Sequence, residues 1–141
     1  MGLSEAELDV FHASLARTST DPRFLDRFYN GFLGRSEEIA AIFAHSDMAR
    51  LKQKLQSSLH VITLALDDAP GADRYLDYLG RVHDRIHIRP ELYAQWLDAL
   101  VGAVRATDPL FDAEIEGVWR HVLGKGIELM HRAAREQQAA A

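Results

Sequence analysis

Seven histidines, His12, His45, His60, His83, His87, His121 and His131, and not one cysteine set the chemistry open to this chain. Imidazole is then the only nitrogen or sulfur donor well suited to a transition metal. The lack of thiols excludes disulfides, thiolate zinc, cysteine-ligated iron–sulfur clusters, covalent haem attachment through cysteine and a cysteine nucleophile. No Gly-x-Ser-x-Gly, His-Glu-x-x-His or glycine-rich phosphate loop occurs in the sequence. Glu128 and His131 make one Glu-x-x-His pair, half of a carboxylate-bridged di-iron site, and the second pair such a site needs is missing. His12, His60, His121 and His131 stand singly among polar neighbours and read as exposed helical histidines. What remains is the stretch from Leu79 to Tyr93, with His83 and His87 one helical turn apart, and the aromatics Phe28, Tyr29 and Phe43 upstream of it.

The elements that position these residues are helical. Apolar residues recur at three and four, there is no strict alternation and no Asn-Gly hairpin signal, and Pro22, Pro70, Pro90 and Pro109 each mark a helix start. Ser4 and Glu7 form a capping-box pattern ahead of Leu8, Phe11 and Leu15. After Thr20-Asp21-Pro22 comes an aromatic stretch, Phe24 to Phe32, closed by Gly34, and Ser36-Glu37-Glu38 starts a short helix ending near Phe43. From Asp47 a long helix carries Met48, Leu51, Leu55, Ser58, Leu59, Ile62 and Leu66 on one stripe. A break at Asp67 to Gly71 precedes a helix with Tyr75, Leu76, Leu79, Val82 and His83. Pro90-Glu91 and Asp108-Pro109 open the last two helices, and Arg135 to Ala141, without apolar bulk, is expected to fray.

Residues 1–141 read as one domain: 48% hydrophobic and 26% charged residues suit one packed core. A formal net charge of -5 offers no footprint for a phosphate backbone, so nucleic acid is not an expected partner. The start Met-Gly-Leu-Ser-Glu has neither a basic region nor an apolar run, and no window approaches the ~18 apolar residues of a membrane span. The expectation is a cytoplasmic protein without a membrane partner.

His83 lies seven residues before Pro90, and Phe28-Tyr29 is followed by Phe43 of an Ile-Phe pair fourteen residues after Tyr29. In these matches, taken in order along essentially the whole chain, the sequence resembles the haem globins of the bacterial single-domain, flavohaemoglobin-like or globin-sensor kind. The resemblance implies an all-α globin fold of about seven helices around a non-covalent haem b. It implies His83 as the proximal iron ligand, its other ring N–H given to a backbone carbonyl one turn back such as Leu79. Tyr29 would project over the iron as the hydrogen-bond donor to a gas ligand. Phe43, Leu79, Val82 and Tyr93 would pack on the porphyrin, and His87 with Arg81 and Arg89 would face its propionates.

On the long helix the distal pair is set by register. Leu51 and Leu55 share the inward stripe with Leu59 and Ile62, whereas Gln53 lies about 200° from either at ~3.6 residues per turn. Periodicity therefore favours Leu51 and Leu55, with Gln53 and Ser57 as the alternative pair. The family's glutamate fifteen residues after Trp119 is absent, because Ala134 stands there. That departure weakens peroxidase-like and dioxygenase readings, since a charged partner behind the proximal histidine assists O–O cleavage. The resemblance thus implies a protein that reversibly binds dioxygen, NO and CO as an oxygen carrier or scavenger. The alternatives are a gas-sensing domain attached to a signalling module, and an NO dioxygenase served by an external reductase.

Overall fold

The computed structural model describes residues 3–66 and 90–140, together with Arg74 and Tyr78. Among these residues there are six helices and no strand: α1 (Glu5–Ser19), α2 (Arg23–Leu33), α3 (Glu37–Ile42), α4 (Met48–Leu66), α5 (Pro90–Thr107) and α6 (Ala113–Ala140). The helix expected around Tyr75 to His83 lies outside the described residues.

Local chemistry explains where each helix begins. The Ser4 hydroxyl accepts the Glu7 N–H while the Glu7 carboxylate accepts the Ser4 N–H, the reciprocal box that satisfies two otherwise orphaned donors. Ser36 caps α3 through the Ile39 N–H at 3.1 Å. The last helix departs from the sequence reading. Asp108-Pro109 does not open it; the chain turns there, and α6 starts at Ala113 with Asp112 accepting the Ile115 N–H at 2.8 Å. The Asp108 carboxylate is engaged inside the protein instead, which leaves Asp112 as the side chain free to cap. The helix continues through the tail expected to fray, running to Ala140. Arg, Glu, Gln and Ala are all strong helix formers, and propensity carries the helix past the end of its apolar stripe.

Packing is uneven. α2 lies along α5 over the most extensive helix interface, α1 packs on α6, and α5 on α6, while α4 rests on α6 and α1. At the centre Trp119 is fully buried, its ring 4.7 Å from Phe11 and 6.3 Å from Phe24. The apolar core joins α1 (Phe11, Leu15), α2 (Phe24, Phe28), α4 (Leu55, Leu59), α5 (Leu100, Val104) and α6 (Val122, Leu123). Each large side chain fully buried in this way contributes roughly 1.5–3 kcal/mol. α4 and α6 are in close contact at Gly126, where a Cβ would stand 3.3 Å from Ile62 Cγ2.

A polar knot fastens the ends of α1 and α5. The Asp108 carboxylate accepts the Ser14 hydroxyl at 2.6 Å, two Arg17 guanidinium N–H groups at 2.7 and 2.9 Å, and the Leu110 N–H at 2.9 Å. Ser14 in turn accepts the Trp119 indole N–H at 2.8 Å. Burial acts to raise the Asp108 carboxyl, and the bonds from Arg17, Ser14 and Leu110 outweigh it and hold it below the ordinary value.

Candidate functional site

Tyr29 faces the interior because α2 carries Phe24, Phe28 and Phe32 on its buried face and Tyr29 stands beside Phe28. Its ring meets Phe28 edge-on at 4.8 Å, and its hydroxyl donates to the Leu51 carbonyl of α4 at 3.2 Å. Burial pushes the phenol up to about 12, so the group is a neutral donor throughout the physiological range. Phe28 links this corner to the rest of the aromatic wall, stacked on Phe32 at 5.4 Å and edge-on to Trp96 at 6.0 Å. Phe32 lies 5.9 Å from Phe43, which closes the C-terminus of α3. Tyr29, Phe43 and the first half of α5 are thereby joined through one cluster of rings.

α4 supplies the facing side. Leu55 is buried, Leu51 is half-buried, and Gln53 and Ser57 are exposed. Residues four apart share a face and those two apart oppose it, so the stripe that buries Leu59 and Ile62 turns Gln53 outward. Phe43, Met48, Leu51, Tyr93, Trp96 and Leu97 pack on the core yet remain only partly covered. These partly covered apolar side chains come from the end of α3, from α4 and from α5. Ser46, Asp47, Arg50, Leu51 and Lys54 line an open surface cleft of about 340 Å³ at the start of α4.

Tyr93, near the start of α5, is half-buried and meets a residue the sequence reading set aside. The His131 ring stands edge-on to it at 4.6 Å. His131 is half-buried rather than exposed, its Nε2 is buried without a hydrogen-bond partner among the described residues, and burial and Arg135 depress its basicity. His121 is half-buried too, its Nδ1 2.6 Å from the Glu7 carboxylate. Polar sequence neighbours concealed both, because on a helix the residues that decide burial stand three and four away. His12 and His60 are exposed as expected. His83, Leu79, Val82, Arg81, His87 and Arg89 lie outside the described residues.

These features fit a flat apolar cofactor. Aromatic and aliphatic walls, a partly covered lining, a single neutral hydroxyl and an orphaned imidazole nitrogen suit a tetrapyrrole better than a metal held by side chains alone. No group of three or more histidine, aspartate or glutamate residues that could hold an ion exists among the described residues. No described helix is long and apolar enough to cross a membrane.

The globin family model matches residues 27–128, and the chain belongs to the globin family. A solved structure from Pseudomonas aeruginosa PAO1, the protein PA3967, described as structurally highly homologous to a human haemoglobin, superposes with a TM-score of 0.84. It is 36% identical, over 91% of this chain and 98% of that one. None of the curated proteins matches. The protein is therefore a haem-binding globin similar to a bacterial haemoglobin-like protein, and small gaseous molecules are the ligand class that membership supports.

Proposed function

We propose that the protein reversibly binds dioxygen, with NO and CO as competing ligands, and acts as an oxygen carrier or scavenger. The buried Tyr29 hydroxyl, neutral and placed in an apolar corner against Leu51, is the observation that carries this reading. A donor of that kind favours a ligand that accepts a hydrogen bond, and the low local polarity strengthens the contact. Haem b, when bound, supplies the iron at which the gas is held, and with no cysteine in the chain it is held non-covalently.

The chain's own residues divide the remaining work. His83 would hold the iron, with Leu79 and Val82 as further haem-binding residues. Phe43, Leu51, Leu55 and Tyr93 would wall the porphyrin, and His87 and Arg81 would meet the propionates. Tyr29 orients and retains the gas, with Leu51 and Leu55 forming an apolar roof that keeps water out. With Ala134 in place of an acidic partner on the proximal side, affinity rather than oxygen activation is the expected output. The experiment is a visible spectrum of the purified chain, ferric, reduced, and reduced then exposed to oxygen. A stable oxygenated spectrum in the native chain, lost together with haem retention in His83→Ala, supports the reading. A chain that takes up no haemin, or a His83→Ala variant with an unaltered ferrous spectrum, sinks it.

A further inference from the structure

The Tyr29 hydroxyl has a rival for any ligand it would hold. It carries one proton, and that proton lies on the Leu51 carbonyl at 3.2 Å. In an α-helix this carbonyl already accepts the N–H four residues on, so Tyr29 uses its second lone pair. Withdrawing the hydroxyl therefore leaves no orphaned group on α4. The two positions of the proton, on the carbonyl or on a pocket ligand, each complete one ordinary hydrogen bond. One donor cannot fully serve both.

We propose that the Leu51 carbonyl is the specificity-setting acceptor of the distal pocket: a ligand that accepts a hydrogen bond must take the Tyr29 proton from it, and one that does not leaves the α2–α4 contact intact. This rests on the function proposed above. Dioxygen, a good acceptor, gains only the difference between two similar bonds, and its binding releases the hydroxyl tie between α2 and α4. CO, a poor acceptor, leaves that tie in place. The same helices are also joined near Leu51 by the surface pair of Lys52 with Asp26, which does not engage the hydroxyl. Tyr29→Phe then speeds dioxygen release by no more than about threefold, where an uncontested donor is worth up to about tenfold.

The sequence permits a direct reading of that carbonyl. Leu51-Lys52 is the only Leu-Lys step in the chain, so carbonyl-13C leucine combined with 15N lysine isolates a single carbonyl resonance. The haem-loaded protein and Tyr29→Phe, which keeps the ring and the fold, are compared as CO and as dioxygen complexes, both diamagnetic. The expected result is an upfield shift of the Leu51 carbonyl on Tyr29→Phe in the CO complex and none in the dioxygen complex. Equal shifts in both complexes, or a shift in neither, overturn the competition while leaving haem and gas binding intact. Failure to form either complex is read from the visible spectrum, and overturns the underlying function with it.

Discussion

Replacing Asp108 by alanine or asparagine tests how the fold holds α1, α5 and α6 together. The Asp108 side chain is wholly buried, at 0% exposed, and serves four donors on Ser14, Arg17 and Leu110. Alanine strands the Ser14 hydroxyl in the core and leaves Arg17 without its anion. Breaking one side of a buried pair costs about 3–5 kcal/mol, and the lower end applies because Arg17 is 28% exposed and recovers water. At about 3 °C per kcal/mol for a domain of this size, Asp108→Ala melts about 10 °C below the native chain. Asp108→Asn keeps one acceptor oxygen and loses less, about 2 kcal/mol. The sign with pH follows from the lowered carboxyl. Its stabilisation is fully present above the unfolded value of about 3.9 and is lost as pH falls through the folded value. Thermal unfolding followed by circular dichroism should show the gap between native and Asp108→Asn closing below about pH 4. A gap of the same size at pH 3 and pH 7 would refute the reasoning, as would Asp108→Ala melting with the native chain.

Other perturbations separate the elements of the site. Leu51→Ala, which opens a half-buried position on the lined side of α4, should change CO and dioxygen association rates, whereas exposed Gln53→Ala should leave both within about twofold; flash photolysis showing the reverse would move the distal register by two residues. Gly102 is exposed within α5 and a Cβ there meets nothing within 4 Å, so Gly102→Ala should stabilise by about 0.5–1 kcal/mol without altering the spectrum. Loss of stability in a denaturant melt would show that this stretch of α5 is packed otherwise. Native-state hydrogen exchange should protect α2 and α5 more strongly than the first turns of α4, and haem should raise protection most in α4; opening of α2 ahead of α4 counts against that order.

Much of the fold was legible because it rests on short-range rules. The Ser4–Glu7 box, the Ser36 cap, the proline at the start of α5 and the stripe from Leu51 to Ile62 each follow from spacing alone. Placement of Leu51 and Leu55 inward and Gln53 outward was legible for the same reason. The rest depended on partners distant in sequence. Asp108 looked like a helix cap because Asp-Pro commonly opens helices, and its engagement with Ser14, 94 residues away, has no local signature. His131 looked exposed because nothing near it in sequence announces Tyr93. The Tyr29 contact with a backbone carbonyl was beyond reach as well, since a carbonyl has no residue type to recognise.

The uneven packing bears on how a ligand would be felt. The donor sits on α2, which is clamped along α5, and α5 is tied to α1 and α6 through Asp108, Ser14 and Trp119. Its rival acceptor sits on α4, which rests on α6 and α1 and touches α2 mainly through the Tyr29 hydroxyl and the Lys52–Asp26 surface pair. A change of partner for the Tyr29 proton would act on α4 at Leu51, within its first turn. Ser46 and Asp47, just before α4, and Arg50, Leu51 and Lys54 on it line the open cleft there. The proposed exchange of the Tyr29 proton would thus be felt beside Asp47, Arg50 and Lys54, the charged residues around the start of α4.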